Sequence, residues 1–376
     1  MRLLLTLMTD RELLIHATNV TGLGARQVVQ SLLGALAKNT DLRQAWVSLP
    51  LRALEDVGSV KRAGARILRQ WRVGPNAMSR AWECLRPHPL FGRYRRSLVL
   101  GDIPLRGLNA QVVLVHQAHL VSPEVNRFSS SGLRFRAMRW VFRRNLAFVK
   151  TLVVQTGAME EQMLASYPEL KNRLVVIPQA VPHWFQGELK KSQAARASKL
   201  RLFYPAAGYP HKNHSLLGRM ETMRGPECTL EVAVTLTGAE QCMISPWPPW
   251  VRNVGRLVPM ACMAAYRETD ALFFPSLLES YGLPLVEAMT LGLPIVCSDL
   301  PYAHWLCEDQ AIYFDPTHPE AAWQAIGELQ GRLAQGWQPD WRRALAKLPK
   351  DWDEVAQRFL EILGLAAKTT CESRSL

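Results

Sequence analysis

The chain predicts two doubly wound α/β domains, each a parallel sheet with helices on both faces. Three observations carry this. Short, near-continuous apolar runs of the kind that form buried parallel strands alternate with helical stretches. The alternation breaks at a polar, basic stretch, Gly187-Glu-Leu-Lys-Lys-Ser-Gln-Ala-Ala-Arg196, and then begins again. Finally, 376 residues with 48% hydrophobic and 20% charged residues can supply two ordinary cores and are not the composition of a disordered chain. The expected bounds are an N-terminal domain over 1–182, a linker over 183–199, a C-terminal domain over 200–350, and a final helix with its tail over 351–376.

In chain order, strands are expected at Leu13–Ala17, Ser97–Leu100, Val112–Val115 and Leu152–Val154, with another near Val176. The glycine turn Thr21-Gly22-Leu23-Gly24 leads into a helix over Ala25–Ala37. The second domain places strands at Leu200–Tyr204, Leu230–Leu236, Ala271–Phe274 and Pro294–Cys297. Trp352, Val355, Ala356, Phe359, Leu360 and Leu363 then make one apolar face of a closing helix. Ligands of such folds sit outside the carboxyl ends of the strands, so a central cleft shared by the two domains is the expected site.

Composition narrows the class. The seven cysteines have no regular spacing and no C-x-x-C pair, which favours reduced thiols in a cytosol over a disulfide framework. No run reaches the roughly 18–20 apolar residues of a bilayer span. The opening apolar stretch, Leu3 to Met8, is followed at once by Asp10, Arg11 and Glu12, so it does not read as an export leader, and Met8 is an alternative start. Charge is divided unevenly: residues 1–180 hold 26 Lys and Arg against 11 Asp and Glu, a balance of +15 within the chain's +13. The remainder is therefore near neutral, and the first domain is expected to face an anionic partner.

The densest chemistry lies at Phe274-Pro-Ser-Leu-Leu-Glu-Ser-Tyr-Gly-Leu-Pro-Leu-Val-Glu287. A buried strand runs into a glycine turn and then into a helix opened by Pro284, which suits a first helical position. Helix amides at a strand's carboxyl end make an anion site. Glu279 and Glu287 stand on either side of that turn, eight positions apart. Carboxylates beside an anion site fit a ligand with both diphosphate and hydroxyl groups. Glu287, expected in the first helical turn, could also serve the helix macrodipole, but Glu279 precedes the helix.

The stretch Gly255–Pro316 resembles the donor-binding half of retaining glycosyltransferases of family 4 (glycosyl transferases group 1), which have the GT-B fold. Glu279 and Glu287 match the E-x7-E motif of that family. Flanking text agrees, from Ala265-Tyr-Arg-Glu-Thr-Asp-Ala-Leu-Phe-Phe-Pro-Ser276 through Ala288-Met-Thr-Leu-Gly-Leu-Pro-Ile-Val-Cys-Ser-Asp299 to Tyr313-Phe-Asp-Pro316. The resemblance implies that Glu279 accepts bonds from sugar hydroxyls near the anomeric centre and that Glu287 holds ribose hydroxyls. It places the amides of Tyr281, Gly282 and Leu283 against sugar and diphosphate. Lys212, in Tyr209-Pro-His-Lys-Asn-His214, matches the lysine that binds the diphosphate. The arginine common about six residues earlier is replaced by Ala206 and Ala207, which leaves Lys212 and the helix start as the main charge sinks. His116, ending Val112-Val-Leu-Val, matches a strand-end histidine near the donor sugar, with His119 as a substitute. Gly22 and Gly24 resemble the glycine loop under the donor phosphates.

Basic residues gather in Arg134-Phe-Arg-Ala-Met-Arg-Trp-Val-Phe-Arg-Arg144. At 100° per residue Arg136, Arg139 and Arg143 form one stripe, expected to meet an acceptor or anionic headgroups, with Arg93, Arg95 and Arg96 adding to it. Asp351-Trp-Asp353 spells a metal-binding D-x-D but opens a helix, so capping explains it. No His, Cys and carboxylate cluster has metal spacing, and neither metal nor cofactor is expected.

The function expected is retaining transfer of a sugar from a nucleotide diphosphate sugar to a saccharide or lipid-linked saccharide. The setting expected is cell-surface polysaccharide assembly, by a cytoplasmic protein peripheral on the inner face of the membrane, without nucleic acid. Two alternatives stay open: a nucleotide-sugar epimerase of similar fold, and a non-catalytic protein binding anionic membranes or nucleic acid.

Overall fold

The computed structural model describes residues 11–20, 22–40, 42–43, 45–49, 61–69, 76–86, 94–108, 110–121, 130–182, 185, 199–222 and 230–365. The expectations for the chain start, Arg93, most of the linker, Cys228, Cys371 and the tail beyond Leu365 lie outside them. The described residues fall into two compact units. One lies within Met1–Gln155, Met159–Pro182 and Pro349–Leu376, the other within Thr156–Ala158 and His183–Leu348.

The first unit holds a seven-stranded sheet. Its strands are β1 (Arg11–His16), β2 (Ala45–Leu49), β3 (Arg66–Arg69), β4 (Tyr94–Val99), β5 (Gln111–Leu114), β6 (Val149–Val154) and β7 (Leu174–Val176), in the spatial order β3-β2-β1-β4-β5-β6-β7. Every pairing is parallel. Parallel strands need crossovers, and these bury the sheet on both faces, which is why Leu14, Val113 and Leu152 are fully buried along with their neighbours. Strand order reverses between β1 and β4, so the loops after these two strands part and leave a crevice at their carboxyl ends. The closing helix Trp352–Leu363 packs on helix Leu23–Asn39 with its expected apolar face buried, and the Trp352 indole donates to the Val181 carbonyl. Asp351 accepts from the Glu354 amide at 2.9 Å, the capping role expected of it.

The second unit holds β8 (Leu200–Tyr204), β9 (Leu230–Val234), β10 (Val251–Asn253), β11 (Ala271–Phe274), β12 (Ile295–Ser298) and β13 (Ile312–Phe314). Their order is β10-β9-β8-β11-β12-β13, again all parallel. The reversal falls between β8 and β11, the strands that precede Lys212 and Glu279. The aromatic core follows from the strand sequences: Tyr204, Phe203, Phe273 and Phe274 are among the largest fully buried side chains. Strands β2, β3, β10 and β13 were not singled out in the sequence; β10 and β13 are only three residues each, too short for a periodic signal.

Candidate donor site and the residues around it

In the second unit, two loops meet at the switch point. After β8 the chain makes a short turn, Pro210–Lys212, and reverses at Asn213, which takes the left-handed conformation with φ 57°. The Asn213 side-chain amide donates to the carbonyls of Pro275 and Pro316, at 3.2 and 2.9 Å. The buried Tyr204 hydroxyl donates to the Lys212 carbonyl, and the Leu277 amide donates to the His211 carbonyl at 2.7 Å. These bonds fix the backbone that carries Lys212 against the loop after β11.

There the Lys212 ammonium lies 2.5 Å from a Glu279 carboxylate oxygen, and the Ser276 hydroxyl donates to the same oxygen at 2.6 Å. Both charged side chains are largely buried. The ammonium also stands 5.6 Å from the Phe274 ring centroid. Ser276 is held in turn by its carbonyl, which accepts from Tyr302 at 3.0 Å. Burial and the nearby Lys212 charge lower His214 to a pKa of about 4, so it stays neutral, and burial also lowers His211.

The turn behind Glu279 ends on Gly282 at φ 101° and ψ 58°, and helix Leu283–Thr290 follows with Pro284 in its first turn. Such a backbone strains any residue with a Cβ, and an alanine Cβ here would also sit 3.1 Å from Leu285. Gly282 gives no side-chain cap, Pro284 has no amide hydrogen and the Leu285 amide donates to the Gly282 carbonyl at 2.9 Å, so at the helix start it is the Leu283 amide that has no partner among the bonds described.

Glu287 departs from expectation. It is the fifth residue of that helix rather than part of its first turn, so it does not serve the macrodipole. It is 6% exposed and accepts from the Tyr266 hydroxyl at 2.8 Å. Burial raises its pKa to about 7, against which the tyrosine bond pulls down. Thus Lys212, Glu279 and the Gly282 turn form one group, while Glu287 is held by its own partner. Tyr266, Ser276 and Tyr302 were missed in the sequence, because their roles depend on contacts made across strands.

The place of the absent arginine, Ala206 and Ala207, is buried. A guanidinium reaches this loop from another part of the chain. Arg256 makes two bonds to Glu240, at 2.6 and 2.8 Å, and Glu240 accepts the Gly208 amide at 3.1 Å.

In the first unit, His116 follows β5. Its backbone amide donates to Asp102 at 2.6 Å, and its Nδ1 is 3.9 Å from the same oxygen. Neither ring nitrogen has a hydrogen-bond partner among the described residues. Burial lowers its pKa and Asp102 only partly opposes this, so the ring is neutral at pH 7. Asp102 sits at φ 69°, and its other oxygen is 3.9 Å from Arg80. Asp102 and Arg80 were also missed; an Asp after Gly101 signals a turn and nothing more specific. Gly22 caps helix Leu23–Asn39 and Gly24 lies in its first turn, and a Cβ at Gly24 would meet nothing within 4 Å.

Two arginines of the expected stripe also bond within their own unit. Arg139 donates to the His119 carbonyl at 3.0 Å, and His119 stacks on Phe135. Arg143 donates to the Ser166 carbonyl at 2.6 Å and lies over the Tyr167 ring. Arg143 nevertheless keeps 59% of its side chain exposed, and Arg136 is exposed without such a tie among the bonds described. Arg95 and Arg96 stand on β4. They line a cavity of about 260 Å³ with Lys150 and the end of helix Trp352–Leu363, where Arg96 donates to the Leu363 carbonyl and pairs with Glu12.

Two units, each a doubly wound parallel sheet, make the architecture of GT-B proteins, and comparison bears out that fold. A sucrose-phosphate synthase from Thermosynechococcus elongatus superposes with a TM-score of 0.69 at 15% identity, over 93% of this chain and 98% of that one. HepE from Anabaena, solved with UDP and glucose, superposes with a TM-score of 0.62 at 15% identity, over 94% and 99%. Residues 251–330, the segment that holds both glutamates, match the family described as glycosyl transferases group 1. The O-antigen chain mannosyltransferase B of Escherichia coli is 29% identical over 104 residues, covering 24% of this chain. The chain spans about a quarter (27%) of the length of that curated relative.

Proposed function

We propose that the protein is a retaining, metal-independent glycosyltransferase that moves a sugar from a nucleotide diphosphate sugar to a saccharide or lipid-linked saccharide. We place it in cell-surface polysaccharide assembly, as a cytoplasmic protein peripheral on the inner face of the membrane. The observation that carries this is the buried Lys212–Glu279 pair beside the uncapped turn at Gly282. In the free protein the pair neutralises itself. An entering diphosphate competes for the ammonium and binds the Leu283 amide at the helix start, which releases Glu279 to accept sugar hydroxyls. As the glycosidic bond breaks, charge accumulates on the departing diphosphate, where preorganised amides and Lys212 stabilise it. Glu287 takes the ribose hydroxyls as an ionised acceptor, and the neutral His116 ring is available for a hydrogen bond to a sugar. Gly22 and Gly24 leave the start of their helix open to phosphate. The O-antigen relative and the UDP-bound HepE support the polysaccharide and nucleotide-sugar parts of this reading.

A thermal-shift panel of UDP-, GDP-, ADP- and TDP-sugars tests it, followed by product analysis with the donor that binds. One donor is expected to raise Tm and to yield transfer or slow hydrolysis with retained anomeric configuration. No shift with any donor, or an epimerised donor as the product, overturns it.

A further inference from the structure

We propose that the outward faces of helices Ala77–Leu85 and Ser130–Asn145 form a docking surface for an anionic lipid bilayer. This rests on and deepens the membrane part of the reading above, and it shares Arg136 with the stripe expected from the sequence. The two helices are neighbours and feed one core, the first through Cys84 and Leu85, the second through Met138, Val141 and Phe142. Their opposite faces carry large apolar groups in water: Met78 is 84% exposed, and Trp82, Leu133 and Trp140 are each 57% exposed. Met78 and Trp82 are four residues apart on one helix. Leu133, Arg136, Ala137, Trp140 and Arg144 recur at spacings of three and four on the other, so each set lines one face.

Charge selects the occupant. The second helix, SSGLRFRAMRWVFRRN, has five arginines and no carboxylate. The one acid of the first helix, Glu83, is turned inward to the buried His16 at 3.0 Å. Each exposed tryptophan lies under a guanidinium, Arg86 at 3.7 Å from the Trp82 ring and Arg144 at 5.5 Å from the Trp140 ring. Stacking leaves the guanidinium edges free to donate to phosphate. Tryptophan beside arginine is the composition that settles at headgroup depth, with rings and aliphatic chains in the acyl boundary and cations among anionic lipids. A duplex nucleic acid would match the charge but has no use for Met78 and Leu133.

The test is co-sedimentation of the full chain with phosphatidylcholine vesicles, with and without phosphatidylglycerol, with no nucleotide sugar present. Binding that requires phosphatidylglycerol and shifts tryptophan emission to the blue is expected. The Trp82→Ala/Trp140→Ala and Arg136→Glu/Arg144→Glu variants, checked for unchanged Tm, should each lose roughly tenfold or more in partitioning. Arg95→Ala, a basic change elsewhere on the unit, should leave it unchanged. Equal binding to neutral vesicles, wild-type partitioning by the tryptophan variant, an equal loss with Arg95→Ala, or duplex DNA displacing the vesicles would each overturn the proposal. Because no donor is present, a negative result removes the docking surface and leaves the donor-site reading standing.

Discussion

At the residue scale the site rests on two carboxylates in opposite electrostatic situations. Glu279 has a cation and a hydroxyl on one oxygen, and Glu287 has a single phenol in a dry environment. Losing the cation should therefore be felt in the reaction. Lys212→Ala is expected to lower transfer by about 10²–10³-fold, the usual loss when one stabilising donor is removed, and steady-state kinetics with the identified donor checks this. Glu287 makes a prediction about pH. Below pH 4.5 it is neutral in folded and unfolded chains alike and has no effect. Between 4.5 and about 7 the unfolded chain ionises while the folded one keeps the proton, so stability falls with rising pH. Above about 7 both states are ionised and the loss, about 3 kcal/mol, is constant. Tm measured from pH 4.5 to 8 should show this decline in the native protein and lack it in Glu287→Gln. Donor binding should show the reverse trend, tightening from pH 6 to 8, because ribose hydroxyls donate best to the ionised carboxylate.

At the element scale, sheet and helix identities were legible and facing was not. Strands β8 and β11 fall at the bounds their apolar runs indicate, and β1, β4, β5 and β6 differ by a few residues at their ends. The glycine turn was legible because strand, Gly282 and Pro284 come in an order only one local geometry satisfies. Gly282→Ala should accordingly cost roughly 1–3 kcal/mol through backbone strain alone, measured by denaturant unfolding, and should abolish the donor-induced Tm rise. The orientation of helix Ser130–Asn145 was hidden for a physical reason. It carries apolar residues on two sides, Val141 and Phe142 inward and Leu133 and Trp140 outward, so periodicity fixes which residues share a face without saying which face is buried. The bonds that Arg139 and Arg143 make within the unit carry no such signal either. Pairings across elements, such as Tyr266 with Glu287 or Asp102 with His116, carry no spacing signal at all.

At the scale of the whole molecule, the charge imbalance and the donor motif belong to different units with separate sheets and separate cores. The apolar and basic outer faces lie in the first unit, and Lys212, Glu279 and Glu287 lie in the second. Changes at sites that share no partners act independently to within a few tenths of a kcal/mol. The two functions should therefore be separable by mutation in the intact chain. Lys212→Ala is expected to lose the Tm rise given by the nucleotide sugar while partitioning onto phosphatidylglycerol vesicles as the native protein does. Trp82→Ala/Trp140→Ala is expected to show the converse, a native donor shift with vesicle binding lost. The double measurement on both variants checks this. If either change moved both readouts, donor and membrane binding would have to be coupled through one structural state, and the division of labour between a basic unit and a donor unit would fail.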